Sequence, residues 1–135
     1  MVDLLAADSS SEPRLVDGFS LLHVSFGIIS GAVLLILGVV WWEALLAVLA
    51  VALLWELVEN RFSTTIRPLF GLDATEKDSK LNMAGDVGCA LAGYGLAVAI
   101  PWPADIAAGA TTLLLGIVWA VCRSRLRPNS GRIRV

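Results

Sequence analysis

Glu56, Glu59 and Asn60 stand at positions i, i+3 and i+4, so on a helix they share one face. Asp78, Asn82 and Asp86 stand at i, i+4 and i+8, a stripe that drifts by about 40° per step on a helix that includes all three. The one histidine, His23, lies about a turn inside an earlier apolar run. Carboxylates gathered with carboxamides suit a hard cation such as Mg²⁺, or another divalent ion, because such ions take oxygen ligands and retain several waters. Glu56, Glu59, Asp78 and Asp86 are the candidate metal ligands, with Asn60 and Asn82 as polar support. His23 is the candidate acid or base, since imidazole changes charge near neutral pH.

Each residue also has a plainer use. Asp78 and Ser79 can cap the helix that follows them. Glu56 and Glu59 can pair with Arg61 or Lys80. Asn60 and Asn82 can hydrogen-bond between helices, and His23 can bond Glu59. Asp86 resists such a reading: it is the deepest in its apolar run, and no basic residue lies within a turn of it on the same helix. No nucleophile is marked, Ser79 being the one candidate, and no phosphate-binding loop is present.

These groups interrupt a chain that otherwise reads as membrane protein. Of 135 residues, 57% are hydrophobic and 16% charged, with a mean hydropathy of +0.78. Soluble domains carry about 25% charged residues. Ionisable groups near hydrocarbon are costly and mark function by default. The net charge of −2 gives no reason to expect a nucleic-acid partner. Cys89 and Cys122 each lie inside an apolar run, where thiols act as small hydrophobes.

Four apolar runs set the expected elements: residues 19–40, 43–60, 81–100 and 104–122. The first contains Gly27 and Gly31, a Gly-x-x-x-Gly pair suited to close helix packing. A tight turn is expected at Trp41-Trp42-Glu43, because paired tryptophans favour a membrane interface. Pro101-Trp102-Pro103 ends the third run. Residues 1–17 read as a flexible polar tail without signal-peptide features, and residues 123–135 as a basic tail. Of the ten Lys and Arg residues, Arg14 precedes the first run, four lie at residues 61–80, and five lie at or beyond Arg123. With four spans all ten fall on one side, so the positive-inside rule puts both termini in the cytoplasm. The expected fold is therefore all-α: a multi-pass cell-membrane protein with four transmembrane helices in a compact bundle. His23, Glu56, Glu59, Asn60, Asp78, Asn82 and Asp86 then share one depth at the cytoplasmic boundary. Glu43 and Asp105 fall on the other side as solvated helix ends.

The series His23-x-x-x-Gly27, Trp55-Glu56-x-x-Glu59-Asn60, Asp78-Ser79-x-x-Asn82-x-x-x-Asp86 and Gly93-Tyr94 resembles a family of bacterial integral membrane proteins without an established activity. More distantly it resembles the VanZ-like superfamily. The chain departs from the closer family at Lys77, where glycine is usual, and at Gly85, where a small polar residue is frequent. The resemblance implies a compact multi-helix fold with a polar site at the membrane boundary and a link to the cell envelope. Three functions stay open at this point. One is an enzyme that acts on a lipid or lipid-linked envelope substrate. The second is an accessory subunit of a membrane complex whose polar cluster fixes helix packing. The third is an oligomeric cation or proton transporter.

Overall fold

The structure is a computed structural model and describes residues 15–66, 68 and 79–126, with side chains through Cys122. The regular structure is helical: α1 (Ser20–Ile36), α2 (Trp41–Arg61), the single turn α3 (Ser63–Ile66), α4 (Lys80–Ala99) and α5 (Ala104–Leu126). There is no strand among the described residues. Asp78, with residues 1–14, 67, 69–77 and 127–135, lies outside the described residues.

The chain forms two helical hairpins. Between α1 and α2 the turn lies at residues 37–40, earlier than the tryptophan pair, and Gly38 supplies the positive φ of 81° that the reversal uses. Trp41, Trp42 and Glu43 accordingly form the first turn of α2, and α1 ends at Ile36, before the apolar run does. The second reversal, residues 100–103, follows the proline signal. Ser79 caps α4, its hydroxyl accepting a bond from the Asn82 backbone N–H at 3.1 Å. The cap explains the spacing of the Ser79-x-x-Asn82 motif in plain helical terms.

α1 is the central helix. It packs chiefly on α4, next on α5, and more lightly on α2, while α2 also touches α4. Glycines set the α1–α4 approach. A Cβ on Gly27 would collide with the Ala90 carbonyl, and one on Gly93 would collide with the Val24 carbonyl. Gly31 faces Tyr94 and Ala97 across the same seam. Such close backbone contact is the usual basis of helix association in lipid, where apolar side chains gain nothing by leaving the hydrocarbon. α5 seats on the other side of α1, with Gly109 against Ile28 and Ile29, and Gly116 against Leu21 and Leu22. At the far end the Tyr94 hydroxyl donates to the Trp41 carbonyl and ties α4 to the start of α2.

Two helices, α2 and the Ala104–Cys122 part of α5, are long and apolar enough to cross a membrane. Their outer faces expose large apolar side chains, among them Leu53, Leu54 and Leu57 on α2 and Leu114, Leu115 and Val118 on α5. A soluble monomer rarely leaves so much contiguous apolar surface in water, so this arrangement supports a membrane location. α1 is apolar but has 17 residues, and α4 is diluted by glycines and by Asn82, Asp86 and Tyr94. Asp105 differs from the sequence expectation. It is buried rather than solvated, and its carboxylate accepts from the Ile106 N–H at 2.7 Å at the start of α5.

The glycine seam yields a direct test. Gly27→Leu and Gly93→Leu should each lower the melting temperature in detergent, by an overpacking cost of about 1–3 kcal/mol or more. Gly88→Leu on the open face of α4 has nothing within 4 Å and should leave the melting temperature near wild type.

Candidate functional site

The first turn of α1, the last turns of α2 and the first turns of α4 meet at one end of the bundle. His23, Glu56 and Asp86 point into this junction, and one ligand atom from each lies within 4.8 Å of the other two. His23 Nε2 is 3.7 Å from Glu56 Oε1 and 3.9 Å from Asp86 Oδ2. Glu56 is 2% exposed and Asp86 5%, and the His23 side chain is the most open of the three at 14%. Asp86 lies six residues into α4, about 9 Å along its axis.

Asp86 is held by donors from two helices. The Ser20 hydroxyl donates to Oδ1 at 2.6 Å, and Asn82 Nδ2 donates to Oδ2 at 3.0 Å. The 2.6 Å separation falls in the range of an O–H bond to an ionised carboxylate. Ser20 is in turn fixed by the chain before α1. The Asp17 N–H donates to Ser20 Oγ at 3.1 Å, and Asp17 Oδ1 accepts from the N–H groups of Phe19 and Ser20 at 2.8 and 3.3 Å. Residues 15–19 thus dock as a strap rather than trail away. The Leu15 carbonyl rests on Gly85, and Phe19 meets Trp119 of α5 edge-on at 5.1 Å.

Of the residues singled out by sequence, the structure gathers His23, Glu56, Asp86 and Asn82. Glu59 and Asn60 sit half-buried one turn further along α2 and do not belong to the three-ligand group. Asp78, the remaining candidate ligand, lies outside the described residues. α4 starts at Lys80, with Ser79 as its cap. Ser20 and Asp17 escaped the sequence reading. A serine that opens an apolar run carries no distinctive signal, and Asp17 read as part of a polar tail. The Asp17-x-x-Ser20 spacing, the geometry of a reciprocal cap, was the available clue.

With both carboxylates ionised the cluster is negative whichever form the imidazole takes. One imidazole and two carboxylates form a nitrogen–oxygen donor set of the kind that binds divalent first-row ions. Ligand atoms around such an ion, bonded at about 2.0–2.2 Å, sit about 3.0–3.5 Å apart. The His23 separations, 3.7 and 3.9 Å, lie a few tenths of an ångström above that range, and the three atoms together lie within 4.8 Å, so the side chains would have to draw in to close on an ion. Comparison with family models, curated proteins and solved structures returned no match.

The hydrogen bond from Asn82 to Asp86 has a measurable energy. Asn82→Ala should destabilise the protein by about 1.5–3 kcal/mol, the range for a bond to a charged group. In an Asp86→Asn background the same substitution should cost clearly less. A double-mutant cycle of detergent melts reads the difference.

Proposed function

We propose that this protein is a four-span membrane protein, both termini cytoplasmic, that holds a divalent cation at the cytoplasmic boundary between His23, Glu56 and Asp86. One observation carries the reading: three helices remote in sequence deliver an imidazole and two buried carboxylates to within 4.8 Å of one another. The imidazole favours Mn²⁺ or Zn²⁺ over Mg²⁺, which prefers an all-oxygen shell. His23 is assigned to the metal rather than to proton transfer, because Nε2 is the atom that faces both carboxylates. Three protein ligands leave coordination positions open for water or for a substrate oxygen. At a membrane boundary the fitting substrate is a phosphate-bearing lipid or lipid-linked molecule, whose phosphoryl oxygen the ion would polarise. The VanZ-like resemblance of the motifs agrees with an envelope substrate of this kind.

A second reading has its own observation. Asp86 already receives hydrogen bonds from Ser20 and Asn82, as it would if the cluster served only to lock α1 against α4 in an accessory subunit. A transport path is less well supported. Beyond the site the bundle interior is closed by Ile28, Ala32, Val48, Ala52 and Ala90, all buried.

Thermal unfolding of the purified protein in detergent separates these readings. At a hundredfold excess over its Kd, Mn²⁺ or Zn²⁺ should stabilise the wild type by about 2.7 kcal/mol. The response should vanish in Glu56→Gln and Asp86→Asn, and weaken as pH falls, because binding displaces protons from the ligands. Absence of any metal response, with both variants folded, refutes the cation site and leaves the packing role. Reporter fusions test the topology separately: tags at both termini should report from the cytoplasm, and a tag in the residue 37–40 turn from the other side.

A further inference from the structure

We propose that Ser20 is a positioning residue that fixes Asp86 as a one-oxygen ligand, holding Oδ1 so that Oδ2 alone faces the ion. The inference rests on the cation reading above and adds how the site presents its carboxylate. The Ser20 hydroxyl has one proton. The Asp17 N–H occupies an acceptor position on Oγ at 3.1 Å, and the proton points to Asp86 Oδ1 at 2.6 Å. Oδ2 is the oxygen turned toward His23 Nε2, at 3.9 Å. Asn82 braces that same oxygen from one turn back on α4 at 3.0 Å, a bond that leaves Oδ2 further acceptor capacity for an ion.

Chelation by both oxygens of Asp86 would require the Ser20 bond to break. That bond is difficult to give up. Ser20 is 2% exposed, so its hydroxyl has little access to replacement water. Its position is set by the strap of residues 15–19, anchored on Gly85 and Trp119. The strap thus acts on the site through one hydroxyl. Large ions such as Ca²⁺, which draw on two-oxygen carboxylate ligands and take six to eight oxygens, are disfavoured by the same arrangement.

The test uses full-length protein in detergent, with Mn²⁺ as probe and free Mn²⁺ counted by its electron paramagnetic resonance. Ser20→Ala should weaken Mn²⁺ binding by about 10–100-fold, the usual effect of removing a partner of a metal ligand. Ser20→Thr, which keeps the hydroxyl, should restore most of it. The metal-free melting temperatures are followed alongside, so that loss of fold is not read as loss of affinity. A Ser20→Ala protein that binds Mn²⁺ as tightly as wild type overturns the role of Ser20 while leaving the cation site standing. A wild type that binds neither Mn²⁺ nor Zn²⁺ overturns both. Infrared spectra of the wild type with ¹³C-labelled aspartate give a reading that needs no variant. Mn²⁺ should widen the separation between the two carboxylate stretches, as one-oxygen ligation does, and a narrowed separation would refute the proposal even if Ser20→Ala fails to fold.

Discussion

The bundle depends on the backbone contact between α1 and α4. Gly27 lies against Ala90 and Gly93 against Val24, each glycine meeting a carbonyl of the other helix. Side chains at either glycine would push the axes apart and shift the register. That register decides what meets at the end of the bundle that holds His23, Glu56 and Asp86. His23 is one turn before Gly27 on α1, and Asp86 two turns before Gly93 on α4. Helices are stiff at this length, so the crossing fixes both the depth and the facing of Ser20, His23 and Asp86. The functional groups and the packing groups are thus consecutive turns of the same two surfaces.

Burying carboxylates at such a crossing is costly unless donors or positive charge are supplied. The two carboxylates meet that demand differently. Asp86 is bonded through both oxygens, by Ser20 of α1 and by Asn82 of its own helix. Glu56 is 2% exposed and has the His23 imidazole at 3.7 Å. On the α4 side the geometry is set by Ser20 and Asn82 acting on Asp86 from two helices.

Much of this was legible in the sequence. An ionisable group in an apolar run stands out on energetic grounds alone, which is how His23, Glu56 and Asp86 were found. The lengths of α2 and α5 and the proline-marked reversal were legible for the same reason: hydropathy and proline act locally. Helix pairing was harder to read. The polar stripes do not reveal that α4 rests mainly on α1; the signal for that pairing lies in Gly27 and Gly93. The α1–α2 turn fell at Gly38 rather than at the tryptophans, because a positive φ is cheaper for glycine than an interface preference is strong. The spacing Asp17-x-x-Ser20 marks a local cap, but the bond from Ser20 to Asp86, 66 residues away, leaves no trace in the sequence.

The way the site opens bears on what it can serve. Of the three converging side chains His23 is the most exposed, with Glu56 and Asp86 behind it. The imidazole is therefore the outermost of the three groups and the carboxylates the innermost. Beneath them the space closes within a turn or two, at the backbone contact of Gly27 with Ala90. At that level main chain meets main chain, and a Cβ on Gly27 would collide with the Ala90 carbonyl. The glycines that permit the helix crossing thus lie on the same two helices as Ser20, His23 and Asp86, one to two turns away, so the contact that builds the fold also positions the cluster.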